Sequence, residues 1–416
     1  MKNKEIKEVG YLYLIQVVNF ILPILLMSYL PRILGMDSYG KLSFYQISSG
    51  LMVFFVDFGF NQSSAQKFST SESDDRGKVF SNTQFIKLSF SISLILLTFT
   101  LVNLDFFNLD RTDIEIILIS SISTIGATLS SAWVYQAIGK NSTLALISVF
   151  FRFFSFVFII ATIKSRDDLI YCILIQFLAS LFIGIASIYY LIRRGVVFFN
   201  LKYVEPSYSL YLIKDSYHIF LSSLITLGFT YINPLIVRHF FGDAALGFYS
   251  IGDKIASILK TAFAPFNQAF YSKFCILAKN LKYIESIKIS FKITMLFTAL
   301  SLVGLLLNCL IGNYLYATFL GVKPGLVELL YIMIPTQAIV GVASIVINLH
   351  LIPLGQFVDL KKIYTIGLAF HFCYLYPLLS EYGLYGVALS SLITEFILLL
   401  LFLWLLFRFF KRNKVW

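Results

Sequence analysis

About twelve apolar runs occupy almost the whole chain, and each is long enough to cross a bilayer as a helix. A helix needs about 20 predominantly apolar residues to cross a hydrocarbon core about 30 Å thick. The 416 residues are 58% hydrophobic and only 13% charged, with a mean hydropathy of +0.82. A soluble domain could not keep so apolar a surface in water. The sequence therefore predicts an all-α polytopic membrane protein.

The predicted spans share a length of about 18–25 residues and a low content of charge. They cover 9–30, 41–64, 83–103, 114–137, 142–163, 168–192, 214–237, 246–271, 286–308, 326–349, 362–380 and 384–408. Pro335 and Pro377 lie inside the tenth and eleventh spans, where proline predicts a kink.

The basic residues of the connecting segments predict the orientation. Lys and Arg are enriched roughly three to one on the side that also carries both termini, which the positive-inside rule places in the cytoplasm. No small-residue cleavage site follows the first apolar run, so we expect an uncleaved first span rather than a signal peptide. The basic residues that give the net charge of +11 lie mostly between apolar runs. This pattern indicates topology and phospholipid contact, and no nucleic-acid partner is expected.

The longest central hydrophilic segment divides the spans into two sets of six. We predict an N-lobe at 1–195, a cytoplasmic linker at 196–213 and a C-lobe at 214–416. Glycine-rich outer loops occupy matching positions in the two halves, at 34–40 and 241–247. Such tight turns need glycine conformations. The match favours a duplicated parallel repeat over two unrelated turns.

Catalytic signatures are missing from the sequence. It contains no P-loop, HExxH or GxSxG motif, and its four histidines and four cysteines lack metal-ligand spacing. No enzyme activity, cofactor or metal site is therefore predicted.

One polar stripe marks the eighth span. Its members recur at helical steps on one face: Asp253, Ser257, Lys260, Asn267 and Tyr271. Lys260 lies roughly 20 Å from the outer end of its helix, too deep to reach the outer surface easily. A cation at the bilayer centre costs about 2.5–3.5 kcal/mol even on an insertion scale. We therefore expect Lys260, and Lys254 which flanks the stripe, to line a water-filled cavity. An internal ion pair with Asp253 or Asp57 is the alternative.

Further cations are expected at other depths. Arg152 lies about ten residues into the fifth span, and its guanidinium suits a phosphate group. Lys41 and Arg32 flank the first outer turn and suit either a vestibule or interfacial anchors. Lys87 and Lys292 lie nearer the cytoplasmic ends, where snorkelling explains them.

Acidic and polar residues complete the candidate cavity. Asp57 and Asp253 suit either an ion pair or ion coupling, whereas Glu395 indicates either a shielded bundle position or an error in the predicted boundary. Gln16, Asn19 and Asn233 are expected to line the cavity, and Trp133 suits an aromatic belt or a substrate gate. Because deep cations outnumber deep acids, we expect the cavity to attract anions.

These residues also form a pattern that resembles one family. Asn19, Pro23, the segment 30–35 and Tyr39-Gly40 resemble the opening of bacterial polysaccharide-biosynthesis flippases of the Wzx type, which translocate O-antigen repeat units. The later segments that fit are 57–60, Trp133 with Gln136, Tyr231-x-Asn233-Pro234 followed by Gly242 and Gly247, and 352–355. The resemblance covers nearly the whole chain.

The resemblance implies the fold of the multidrug/oligosaccharidyl-lipid/polysaccharide exporter superfamily. In that fold two six-helix lobes surround a central cleft that opens alternately to each side. The implied activity moves an undecaprenyl-pyrophosphate-linked oligosaccharide to the periplasmic leaflet of the bacterial inner membrane. Lys254, Lys260 and Arg152 would contact the pyrophosphate. Implied partners are this lipid-linked cargo and membrane lipids, with a polysaccharide polymerase and chain-length machinery as further candidates.

Other readings remain open. A cation-coupled multidrug exporter of the same superfamily would need intramembrane carboxylates, and the first span has none beyond Glu8 at its start. A membrane polymerase or ligase would need a large periplasmic loop, whereas the outer loops here are short. A peptidoglycan-precursor flippase generally has more than twelve spans.

Overall fold

The computed structural model describes residues 2–104, 110–227, 231–321 and 325–412. Within these ranges the side chains of 2–20, 73–74, 225–226, 259, 262–269, 272 and 357 are undescribed. The described ranges are helical and contain no strand. The α-helices are α1 (Lys2–Asp57), α2 (Phe60–Thr70), α3 (Ser73–Asn103), α4 (Arg111–Ser130), α5 (Ala132–Ala137), α6 (Asn141–Thr162), α7 (Leu169–Arg193), α8 (Pro206–Leu227), α9 (Asn233–Lys279), α10 (Tyr283–Leu315), α11 (Leu326–Val346) and α12 (Phe357–Arg412).

Eight segments of the described chain are long and apolar enough to cross a membrane. Three of the long helices are each two helices that meet at a kinked glycine, at Gly35 in α1, Gly242 in α9 and Gly383 in α12. Predicted spans one and two are thus joined at the kink in α1, and predicted spans eleven and twelve at the kink in α12. The predicted all-α polytopic architecture is confirmed.

The two predicted outer turns share one backbone conformation. Gly35 has φ 77° and ψ 167°, and Gly242 has φ 82° and ψ −177°. Positive φ is accessible to glycine at little steric cost. Two glycines at equivalent positions of the halves therefore make the same rare turn, which supports duplication rather than coincidence.

The chain forms two compact units, Met1–Leu224 and Ile225–Trp416. The boundary between these two units lies inside α8. The first half of α8 packs on the first unit, because Leu212 is buried with Phe60 and Ile86. Ser216 also hydrogen-bonds Ser63 at 2.6 Å.

Within the first unit, α4 and α7 approach very closely. A Cβ atom built on Gly184 would lie 2.3 Å from the carbonyl oxygen of Gly126. Small residues allow this proximity between membrane helices, where close backbone packing replaces the hydrophobic driving force.

A second core of this unit surrounds Trp133. Its side chain is fully buried, with ring centroids 5.6 Å from Phe68 and 6.0 Å from Phe80. The expectation of an aromatic belt or a substrate gate is wrong for Trp133, because α2, α3 and α5 enclose the indole.

The second unit is organised around α11, which packs against α9, α10 and α12. Helix α11 continues through Pro335. At Gly341 an added Cβ would lie 2.1 Å from the Phe297 ring, so α10 and α11 are also in close contact. This arrangement brings polar residues of α9, α11 and α12 to one place.

The segment that joins α7 to α8 is docked on α3 through Asn82. The Asn82 amide donates to the carbonyls of Lys78 at 2.8 Å and Tyr203 at 2.7 Å. Its oxygen accepts from the Glu205 amide at 3.0 Å and the Ser209 hydroxyl at 2.8 Å. These four bonds use the full capacity of the side chain. The segment is therefore docked on the first unit.

Replacing Asn82 should release this segment. We expect Asn82→Ala to lower the free energy of unfolding by about 1–3 kcal/mol, because buried backbone groups lose their partners. Trypsin should then cleave faster at Lys202. The measurement is the cleavage rate of the purified protein, with Asn280→Ala at the exposed end of α9 as the control. An unchanged rate in Asn82→Ala would contradict the docking.

Candidate polar cavity

A cavity of about 220 Å³ lies inside the second unit, between α9, α11 and α12. Asp253 and Lys260 are exposed to solvent there, although both lie far along an apolar helix. The lining consists of Asn233, Pro234, Tyr249, Asp253, Ser257, Lys260, Thr261, Met333, Thr336, Gln337, Val340, Ala388, Ser391 and Glu395. Polar groups gathered around one cavity in an apolar chain make this cavity a candidate functional site.

The predicted polar stripe supplies one wall. Asp253, Ser257 and Lys260 lie at helical steps along α9 and all line the cavity, as does Asn233 at the start of this helix. The described lining does not include Lys254, which is half-buried, or Tyr271, which is exposed.

Gln16, Asn19 and Asn267 have side chains outside the described part of the structure. Their predicted role as cavity lining stays a prediction.

The charge of the cavity differs from the expectation. The lining carries two carboxylates, Asp253 and Glu395, and one ammonium, Lys260, which interacts electrostatically with both. The expected excess of cations is thus not found in this cavity. Glu395 is a lining residue, because α12 turns it towards α9. The sequence spacing predicts on which face of its helix Glu395 lies, but it does not predict which helix packs against that face.

A hydrogen-bonded network supports the floor of the cavity. Asn233 Nδ2 donates to Ser391 Oγ at 2.8 Å, and the His371 Nε2 proton is donated to Asn233 Oδ1 at 2.9 Å. The fully buried His371 also contacts Thr394 Oγ1 through Nδ1 at 2.7 Å, and Tyr374 bonds the same threonine. This network fixes the start of α9 against α12.

Sequence reasoning set His371 aside because it lacks metal spacing. The signal that could have found it is a histidine and a threonine, both deep in the apolar runs of α12. Polar groups in such a position require partners.

Gln337 adds an unused acceptor. Its Oε1 atom is buried and has no hydrogen-bond partner, although the residue lines the cavity. A buried polar atom without a partner costs about 1–3 kcal/mol. A ligand or water molecule with a hydrogen-bond donor would offset this cost.

In the first unit, Asp57 is an ion-pair partner. Lys87 Nζ lies 2.7 Å from Asp57 Oδ1, and Lys87 is 4% exposed. The snorkelling expected for Lys87 is therefore wrong, because its ammonium is retained by the carboxylate. The turn at Phe58 and Gly59, both with positive φ, separates α1 from α2 directly after Asp57.

Arg152 lies on the inner face of α6. Helical geometry places it beside the fully buried Ile159 and opposite the exposed rings of Phe150 and Phe154. The Arg152 side chain keeps accessible surface in this position. Its predicted cavity-facing role stays a prediction.

The remaining predicted cations lie near the first outer turn. Arg32 is exposed and Lys41 is half-buried. Arg166 packs over Gly35, with its Nε 3.4 Å from the position of an added Cβ. Both a vestibule and an interfacial anchor remain compatible with these positions.

Removing one partner of the buried ion pair should be costly. We expect Asp57→Leu to lower the free energy of unfolding by about 3–5 kcal/mol, because Lys87 would be left uncompensated. The double variant Asp57→Leu/Lys87→Met should recover most of that loss. Thermal unfolding in detergent measures both effects.

The exposed pair of Arg111 and Glu115 provides the control for this experiment. Glu115→Leu should change stability by less than about 1 kcal/mol. A single Asp57→Leu variant as stable as the wild type would show that the ion pair does not carry this role.

Comparisons with known proteins identify the family. The family model described as polysaccharide biosynthesis protein matches residues 6–272. Two curated relatives carry the name "Putative O-antigen transporter". The one from Shigella dysenteriae is 26% identical over 95% of this chain and 98% of its own length. The one from Escherichia coli strain K12 is 25% identical over 98% and 97%.

Solved structures with a similar fold have much lower identity. The lipid II flippase MurJ in an inward closed conformation matches with a TM-score of 0.75 and 16% identity, over 96% of this chain and 87% of that chain. An inward-facing multidrug resistance MATE transporter of the MOP superfamily matches with a TM-score of 0.69 and 14% identity, over 96% of both chains. These matches confirm the predicted fold. The family model covers more than half of the chain, and the chain therefore belongs to the polysaccharide biosynthesis protein family.

Proposed function

We propose that this protein is a flippase for an undecaprenyl-pyrophosphate-linked oligosaccharide, the repeat unit of an O-antigen or a similar polysaccharide. It moves this cargo from the cytoplasmic to the periplasmic leaflet of the bacterial inner membrane by alternating access. The observation that carries the proposal is the nearly full-length match to two relatives named as O-antigen transporters. The MurJ-like fold supports it.

The polar cavity suits part of such a cargo. Sugar hydroxyls need both donors and acceptors, which Asn233, Ser257 and Gln337 can supply. The free Oε1 atom of Gln337 is an acceptor for a sugar hydroxyl. A polyprenyl tail is apolar and needs no polar lining.

The cations would serve the pyrophosphate. Lys260 is at the cavity wall. Lys254 lies on the same helix, and Arg152 lies on α6. An arginine can bind phosphate oxygens through two parallel hydrogen bonds. Arg32 and Lys41 would form a vestibule near the first outer turn.

Ion coupling would use the second unit. Asp57 is held by Lys87, whereas Asp253 and Glu395 line a water-accessible cavity. Carboxylates in such a cavity can exchange a proton or another cation during transport. Both termini would be cytoplasmic. A polysaccharide polymerase or chain-length machinery would contact the transporter within the membrane.

A second candidate is a cation-coupled multidrug exporter. The fold of a MATE transporter and the two cavity carboxylates favour it. The O-antigen-transporter relatives favour the flippase. Resistance of a drug-sensitive host on expression of this protein would support the exporter.

Deleting the gene in its host tests the proposed function. We expect loss of the surface polysaccharide and accumulation of a complete undecaprenyl-linked repeat unit on the cytoplasmic side. Extraction of lipid-linked intermediates and accessibility of their sugars from the periplasm measure this. A strain that lacks other flippases and keeps normal polysaccharide after the deletion would overturn the proposal.

Lys260→Ala should abolish translocation while membrane insertion persists. Lys273→Ala, on an exposed position of the same helix, provides the matched control and should translocate normally. Restoration of polysaccharide in the deletion strain measures both variants. Wild-type translocation by Lys260→Ala would contradict a role for this ammonium.

The double variant Lys260→Ala/Glu395→Gln separates two roles of Lys260. If the ammonium contacts the pyrophosphate, translocation stays lost. Recovery of translocation would show that Lys260 serves only to neutralise the cavity carboxylates.

A further inference from the structure

A second cavity, separate from the polar cavity, lies in the second unit where the two ends of α12 come together. Its volume is about 480 Å³. Both ends of α12 and the turn that precedes this helix form its wall. The lining consists of Gln356, Asp359, Lys362, Leu405, Arg408, Phe409 and Arg412.

The charge of this cavity is positive. Three cations face one carboxylate, and the Lys362 ammonium lies 3.9 Å from Asp359 Oδ1. The guanidinium groups of Arg408 and Arg412 belong to the same cavity, and Asp359 is the one carboxylate among its described lining residues. The two arginines lie four residues apart, on one face of α12. Like charges in this arrangement repel unless an anion lies between them.

Aromatic side chains place the cavity at the membrane surface. Trp404, one turn before Arg408, is 55% exposed, and the Arg408 guanidinium lies 5.4 Å from its ring centroid. Phe407 is also exposed. Exposed tryptophan is typical of the head-group level of a bilayer. The arginine at the next turn thus lies where lipid phosphates lie.

The turn before α12 completes the site. Gly355 has φ 74°, and the Gln356 side chain donates to the Leu354 carbonyl at 3.4 Å. This turn presents an amide to the cavity beside the cations. An amide can bond the hydroxyl groups of a lipid head group, whereas guanidinium groups bind its phosphate.

We propose that this cavity binds the phosphate of an anionic phospholipid from the leaflet on the side of the C-terminus. Basic pockets between helices on the cytoplasmic side bind anionic lipid head groups, and the charge pattern of the loops predicts that this side is cytoplasmic. The site shares no residue with the lining of the polar cavity. Its failure would leave the proposed function untouched.

Native mass spectrometry of the full-length protein tests the site. The purified protein is equilibrated in mixed micelles that contain phosphatidylglycerol and phosphatidylcholine in equal amounts. We expect the wild type to retain phosphatidylglycerol with a preference of about tenfold or more, which two charge-assisted contacts can supply. The variant Arg408→Gln/Arg412→Gln should retain the two lipids about equally.

A matched variant controls for the loss of positive charge. Arg193 and Arg194 are exposed at the end of α7, and Arg194 lies 5.6 Å from the Tyr190 ring, much as Arg408 lies over Trp404. Arg193→Gln/Arg194→Gln should keep the preference. Equal loss in both double variants, or a kept preference in Arg408→Gln/Arg412→Gln, would overturn the site. If that double variant does not fold, Arg412→Gln alone carries the same test with an expected loss of about threefold or more.

Two further arms identify the source of the phosphate. Soluble pyrophosphate that displaces phosphatidylglycerol at equal concentration would assign the site to a free anion and overturn the lipid assignment. A polyprenyl pyrophosphate that displaces phosphatidylglycerol at a concentration about tenfold or more below that needed with phosphatidylcholine would assign the site to transported cargo. That result would also overturn the lipid assignment. Retention against both supports a resident phospholipid.

Discussion

The absence of water from the bilayer core is the constraint on which this structure depends. A polar group there must find a partner inside the protein or face a water-accessible cavity. Both solutions occur in this chain. Asp57 and Lys87 satisfy each other at 2.7 Å, whereas Asp253 and Lys260 remain exposed to solvent deep along α9. The same residue types are structural in one unit and functional candidates in the other.

The electrostatic character of the polar cavity follows from this division. Its two carboxylates and one ammonium do not form a simple anion trap. Under the proposed function, the amide and hydroxyl groups of this lining would contact sugar hydroxyls, and its charged groups would contact the pyrophosphate or a coupling ion. The His371 network behind Asn233 fixes the geometry of that lining without adding a solvent-exposed group.

Sequence periodicity predicted what depends on a single helix. The glycine turns at Gly35 and Gly242 follow from spacing along the chain and are observed. Of the α9 stripe, Asp253, Ser257 and Lys260 line one cavity. Glu395 and His371 could not be assigned to the cavity in this way, since their role depends on which helix α12 packs against. The expectation for Trp133 was wrong for the same reason. An aromatic residue near the cytoplasmic end of a predicted span can lie in a protein core as well as at the membrane interface. The depth of a residue is readable from sequence, whereas its neighbours are not.

The docked linker also has a consequence for biogenesis. A chain emerges from the ribosome N-terminus first, and domains tend to fold as they emerge. Asn82 requires Tyr203, Glu205 and Ser209 before its amide is satisfied. The first unit is thus incomplete when six spans have been synthesised, and it becomes complete only when the beginning of the next span has left the ribosome. A nascent chain that has emerged only as far as residue 195 would expose an unfinished surface, and one that has emerged as far as residue 224 would not.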